Sequence, residues 1–449
     1  MEPGFPRGRS GLMPATRAVV PPFPIILSAL VAVLAAGSAT AQQDPILASR
    51  AAYQEAVRAY EARDVPTFLE HAREAERLRP DHGGVIYALA SACALSGDTA
   101  GALAALRRFA ALGYTADVAA DSDFARLREL PAFAAVRQSL ARNAEPVLRS
   151  AQAFTLSERD LLTEGIAWDS VSRSFFVGSV HHRKILRIEP SGRVSLLVPP
   201  GRDGLLAPLG MRADPARRLL WVAATAVPQM KGYDTADAGR SGVFAFDLRT
   251  GALRGRYLIP PDGQAHALGD VIVTRRGDVY ATDSRAPAIY RISRGADSIE
   301  RFLTSPLLLS AQGLALDADE RTMYVADYAR GLLRVDLATR AVRRVPADDG
   351  VLALGIDGLY RVGGDLVGVQ NGVEPHRVVR HHLERGGDRI GGAEVLERAR
   401  PDYAEPTLGV VVGGALYYVA NSQWERFQDD GTIDSSQRLR RPLVLRLPL

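Results

Sequence analysis

Thr163-Glu164-Gly165-Ile166-Ala167-Trp168-Asp169, followed after a polar turn by Ser174-Phe175-Phe176-Val177, is the stretch on which the fold turns. A short apolar run opened by a residue-glycine step, then a turn, then an aromatic or β-branched run reads as two antiparallel strands. The phrase recurs as Leu209-Gly210-Met211 with Leu220-Trp221-Val222, and as Gly269-Asp270-Val271 with Val279-Tyr280-Ala281. It recurs again as Gln312-Gly313-Leu314 with Met323-Tyr324-Val325, and as Asp357-Gly358-Leu359 with Leu366-Val367-Gly368. The last copy is Leu408-Gly409-Val410 with Tyr417-Tyr418-Val419. The six copies are spaced by 45, 60, 43, 45 and 51 residues, and about 40–50 residues is the length of a four-stranded propeller blade. The long second unit holds the polar stretch Gln229–Arg240, suited to a loop. The sixth copy has only one further strand, Leu443–Leu447. Phe154-Thr155-Leu156, ahead of the first copy, can supply the missing one, which closes the ring and removes free sheet edges. The expectation for 150–449 is an all-β six-bladed propeller.

Residues 45–144 have a different texture, rich in Ala, Leu, Arg and Glu at helical spacing. An offset of 34 residues relates Tyr53 to Tyr87, Ala56 to Ala90, Asp64 to Asp98 and Leu69 to Leu103. That period, with two helices per unit, resembles tetratricopeptide repeats, with units Ala48–Asp81 and His82–Ala116. A small all-α domain follows. It serves either as a short groove for a protein partner or as a packing module. Asp64 and Asp98 are read as helix ends.

Residues 1–41 read as a signal peptide: Arg7, Arg9 and Arg17 precede an apolar run from Ile25 to Ala36, and Ala39-Thr40-Ala41 is a small-x-small cleavage pattern. The apolar run is shorter than the roughly 20 residues that a membrane span needs. A periplasmic or secreted protein with no transmembrane segment after cleavage is expected. The 449 residues carry a formal charge of +4, three of the arginines lying in the leader. That balance makes no electrostatic case for nucleic acid. Cys93, the one cysteine, excludes an internal disulfide and a thiolate metal site. No phosphate loop, nucleophile elbow or zinc helix motif is present.

In a blade, residues opening the first strand and residues ending the second share one face of the disc. The first set is Glu164, Gly269-Asp270, Gln312 and Asp357. The second set is His181, His182, Asp283, Asp327, Asn371 and Asn421. Carboxylates converging on one axis are costly unless paired, and a bound cation offsets that cost. Oxygen donors without cysteine suit calcium; alternatively, these residues cap strand ends and hold water.

The stretch Thr163–Asp169, Gln312-Gly313-Leu314-Ala315-Leu316-Asp317 and Ile356-Asp357-Gly358-Leu359 resemble the gluconolactonase/senescence marker protein (regucalcin-like) family. The resemblance covers Phe154–Leu447. It implies a divalent metal, Ca2+ foremost, held by Glu164, Gln312 and Asp357 with Asp270 near. It also implies Asp357 as catalytic base or water-orienting group, with His181 a proton shuttle by analogy with paraoxonase-like lactonases. Gln312 stands where the family has Asn, and Gly269 where it has a further Asn. His182, Asp283, Asp327, Asn371 and Asn421 are then substrate-facing. The expected activity is hydrolysis of a small-molecule lactone or ester. The alternative is a non-catalytic binding propeller acting with the helical repeats.

Overall fold

The computed structural model describes residues 44–436 and 438–449; the expected leader lies outside the described residues. Of the described residues, 44–107 with Ala116–Ser139 form one compact unit, and Arg108–Thr115 with those from Leu140 to Leu449 form the other.

The helices run Pro45–Glu61, Val65–Leu78, Gly83–Ser96, Thr99–Ala111 and Pro131–Ala144, with a 3-10 turn at Ser122–Leu127. Asp64 accepts a hydrogen bond from the Thr67 N–H and Asp98 from the Gly101 N–H. The two aspartates 34 residues apart therefore open the helices that follow them, as N-caps, rather than end the helices before them. Ala56, Ala59, Ala72 and Ala92 pack around Phe68 in the helical core. We retain tetratricopeptide character for these pairs as a proposal.

The second unit contains six four-stranded antiparallel sheets. Blade 1 is Ile166–Asp169, Ser174–Ser179, Lys184–Ile188 and Val194–Val198. Blade 2 is Ala207–Asp214, Leu219–Thr225, Ser241–Asp247 and Leu253–Leu258. Blade 3 is Leu268–Val273, Val279–Asp283, Ala288–Ile292 and Glu300–Thr304. Blade 4 is Ala311–Leu316, Thr322–Asp327, Gly331–Asp336 and Val342–Arg344. Blade 5 is Ile356–Val362, Asp365–Gln370, Arg377–Leu383 and Ile390–Arg398. Blade 6 takes Gly409–Val412, Ala415–Val419 and Leu443–Pro448 from one end of the propeller sequence, and Ala151–Thr155 from the other. In that joint Phe154 pairs with Val444 and Thr155 with Leu443.

The apolar core is not central. It is divided into six wedges, each shared by two neighbouring blades, and the sixth joins blade 6 to blade 1 through Val410, Val444, Ile166 and Val177. Successive side chains of a strand point to opposite faces. Thus Phe176 enters the wedge toward blade 2 while Val177 enters the wedge toward blade 6. Both faces of the second strands are buried, which is why they read as continuous apolar runs. Tight turns are held by aspartates. Asp169, fully buried, accepts both guanidinium nitrogens of Arg218 at 2.7 and 2.8 Å, tying blade 1 to blade 2.

Candidate functional site

Four of the first strands share one irregularity. Pro208 pairs with Ala224 and Met211 with Val222, so Leu209-Gly210 face a single residue of the partner strand. The same two-against-one bulge falls at Gly269-Asp270, Gln312-Gly313 and Asp357-Gly358. A bulge re-aims the side chains it carries. The glycines are required by crowding. A Cβ on Gly313 would lie 2.3 Å from the Asp357 carbonyl oxygen, and one on Gly165 would lie 2.1 Å from the Leu209 carbonyl oxygen.

Blade 3 carries the pair in reverse order. Asp270 occupies the place of the glycine, packed where a Cβ on Gly210 would be 2.4 Å from its Oδ1. Asp270 Oδ1 accepts from the Val271 N–H at 2.8 Å, and the Leu314 N–H also stabilises its charge. Burial nonetheless pushes its carboxyl up to about 6, with the Arg212 guanidinium opposing. Asp270 is thus committed to backbone, and its charge acts on the site from behind. Gly269, in the position that elsewhere bears the side chain, leaves space. Gln312 Oε1 points at that space, 3.3 Å from where a Gly269 Cβ would stand. The additional methylene of Gln312 is therefore accommodated by the missing side chain. Its Nε2 donates to Ser310 Oγ at 3.2 Å, which directs Oε1 away from that hydroxyl.

Glu164 and Asp357 are both buried. Burial, then the neighbouring Asp357 charge, push the Glu164 carboxyl well above the usual range, and Trp424 Nε1 opposes by donating to Oε2 at 2.6 Å. Burial and the Asp270 charge push Asp357 up to about 7 against the pull of Asn371, whose Nδ2 donates to Oδ2 at 2.9 Å. Tyr328 in turn donates to Asn371 Oδ1 at 3.0 Å. Glu405 joins the group: burial and the Asp357 charge push it up to about 8. Among the described residues no base forms an ion pair with Glu164, Asp357 or Glu405; of the four carboxylates, Arg212 acts on Asp270. Such a set fits a hard divalent cation, which would stabilise the charged carboxylates that burial disfavours.

The remaining expected residues have other partners. Asp327 spends Oδ2 on the Leu309 and Ser310 N–H groups and Oδ1 on those of Ala329 and Arg330. Asp283 accepts from three backbone N–H groups and from His266 Nδ1 at 2.7 Å. Asn421 bridges Arg441 and Leu443. These three, expected to face a substrate, hold loops instead. Their side chains are engaged largely by nearby backbone, a pattern common for Asp and Asn at turns. His181 and His182 form a separate cluster with Asp160, and no hydrogen bond or ion pair among the described residues joins it to the carboxylates. Of the second set, only Asn371 reaches the site. Glu405, Tyr328, Trp424 and Arg212 were not singled out by sequence reasoning. Glu405 and Trp424 lie in loops outside the repeated phrase, and Tyr328 directly follows a strand-ending aspartate.

No protein-family profile matches the chain, and no curated protein matches it. Among solved structures it is similar to a gluconolactonase from Xanthomonas campestris at 17% identity, over 68% of this chain and 94% of that one, with a TM-score of 0.44. It is similar to regucalcin from Agrobacterium tumefaciens, described as a calcium-binding protein, at 16% identity over 66% and 93%, with a TM-score of 0.45. It is also similar to a virginiamycin B lyase from Staphylococcus aureus at 15% identity over 66% and 83%, with a TM-score of 0.42. These likenesses bear on the fold alone, which rests on the strand pairing described above.

Proposed function

We propose that the propeller is a divalent-cation-dependent hydrolase of a small lactone or ester, with calcium as the cation. The observation that supports it is the group formed by the buried Glu164 and Asp357 with the half-buried Glu405, with which no base forms an ion pair among the described residues. Glu164 and Asp357, with Gln312 Oε1, would hold the ion, and Asp270 adds negative charge nearby. When bound, a cation polarises the carbonyl oxygen and stabilises the charge that develops on it.

The chain's own groups supply the proton chemistry. Asp357 takes a proton from the attacking water as the new C–O bond forms. Asn371, held by Tyr328, fixes the orientation of its carboxylate. Glu405, protonated near neutrality, gives a proton to the departing alkoxide oxygen as the acyl C–O bond breaks, so both protons are accounted for. Glu164 is oriented by Trp424. Export with cleavage after Ala41 belongs to the same proposal and is read from the mass of the mature chain.

The test compares melting temperature in calcium and in chelator for the parent, Asp357→Asn and Glu164→Gln, together with a panel of lactones and aryl esters. The parent is expected to gain several degrees in calcium, by mass action on the folded state, and both variants to lose most of that gain along with hydrolysis. A parent with no shift and no bound metal would overturn the hydrolase and leave the binding propeller.

A further inference from the structure

A second cluster lies at blade 1, apart from the carboxylate group. Asp160 precedes the blade, and His181 and His182 follow its second strand, Ser174–Ser179. One carboxylate oxygen and two imidazole nitrogens lie within 4.8 Å of one another. Alternation along a strand would send adjacent histidines to opposite faces. Here the strand has ended. The His182 N–H donates to Ser179 Oγ at 3.1 Å, and Arg183 takes a left-handed φ of 54°. The turn so formed sets the two rings edge to face, with centroids 5.0 Å apart.

Two features point to a cation. His181 is 4% exposed, and its Nδ1 lies 2.7 Å from the Gln229 carbonyl oxygen. A carbonyl only accepts, so Nδ1 carries the proton and Nε2 the lone pair. That Nε2 has no hydrogen bond among the described residues. Metal-ligating histidines are oriented in this way, by a carbonyl or carboxylate on the other ring nitrogen. His182 Nε2 is also buried. It lies 3.0 Å from Asp160 Oδ2, outside the angle of a normal hydrogen bond, so imidazole and carboxylate face one another across the cluster.

We propose that Asp160, His181 and His182 bind one divalent transition-metal ion, zinc by its preference for two imidazoles and a carboxylate, with a fourth position left to water or a ligand. Lys231 Nζ lies 3.4 Å from His182 Nδ1 on the exposed side, and ion binding through Nε2 requires this lysine to move away. One segment links this cluster to the carboxylate group. Phe427 packs on the His181 ring at 5.2 Å, and Gln229 Nε2 donates to Asp429 at 3.0 Å. A few residues earlier in the same segment, Trp424 holds Glu164. Fixing His181 thus steadies the segment that positions Glu164 of the carboxylate group.

The test uses the full chain, stripped with chelator and titrated with zinc against a chromophoric competitor, then with Co2+ read by its visible bands. One zinc per chain, unaffected by excess calcium, and a four-coordinate cobalt spectrum are expected. His181→Ala, His182→Ala and Asp160→Asn should each weaken zinc binding at least tenfold. Asp357→Asn should keep zinc and lose the calcium response, so the two sites fail separately. Should a variant misfold by circular dichroism, zinc protection of His181 and His182 in the parent from diethylpyrocarbonate, read by peptide mass, replaces it. A parent that binds no zinc, histidine variants that bind it as the parent does, or no protection of either histidine would overturn the proposal.

Discussion

Trp424 is a neutral donor aimed at a buried carboxylate, and its removal isolates what orientation contributes at the level of one residue. Trp424→Phe keeps the ring and deletes the N–H donated to Glu164 Oε2. A hydrogen bond to a charged acceptor contributes about 1.5–3 kcal/mol, so calcium affinity by calorimetry should fall roughly tenfold to hundredfold while the fold persists. Unchanged affinity would show that Glu164 needs no positioning. The indole was not legible as part of the site, because it lies in a loop with no periodic counterpart. Glu405 was hidden for the same reason. Glu164 and Asp357 were legible because each stands before a glycine in a repeated phrase, and repetition marks place. Asp283 and Asp327 occupied equally repeated places. What separates them from Asp357 is whether backbone N–H groups lie within reach of the carboxylate, and that depends on loop conformation.

The bulged first strand is the element that carries the site, and its glycine is its weak point. A methyl group on Gly313 would meet the Asp357 carbonyl at 2.3 Å and the Leu359 nitrogen at 2.5 Å. Both contacts are backbone, which cannot rotate away. Gly313→Ala is expected to cost about 1–3 kcal/mol and to reduce calcium binding, both read by thermal melting with and without the ion. Neutral behaviour would mean that the strands are less tightly apposed. The turn element tested by Arg218 behaves differently. Burial raises the Asp169 carboxyl, but the Arg218 fork and the Ser172 donors outweigh it and bring it down to about 2. The folded carboxyl is depressed, so its stabilisation is present above about pH 4 and is lost as pH falls toward 2. Arg218→Ala leaves a buried carboxylate short of its base and should cost about 3 kcal/mol at pH 7, with the deficit shrinking in acid melts. The phase of blade 3 was the part of this element not legible in sequence. Gly269-Asp270 and Asp357-Gly358 differ only in order, and the order decides which residue faces the carboxylate group and which packs on the next strand.

For the whole molecule, the carboxylates set the response to pH. Asp270, Asp357 and Glu405 are raised to about 6, 7 and 8. The folded state therefore holds protons that the unfolded chain releases near pH 4, and stability in chelator should decline from about pH 4 to pH 8. Calcium, which needs the charged forms, should offset the decline increasingly as pH rises. A melting temperature in chelator that climbs over that window would contradict the assignment. Ring closure gives a second test. Removing 443–449 deletes the strand between Ala415–Val419 and Ala151–Thr155 and is expected to abolish cooperative folding of the whole propeller, read by urea denaturation, rather than to fray one blade. Closure was legible because counting strands leaves the sixth blade one short and an orphan strand ahead of the first.

The residue-glycine step has one consequence of another kind. In three of the four bulged strands the close approach depends on the glycine, whereas the residue before it is held by no ladder pairing. Leu209, Gly269, Gln312 and Asp357 stand at corresponding places with four unlike chemistries. A change at those places can retune or silence the chemistry while leaving the scaffold intact, so new ligand sets are open to an engineer one blade at a time.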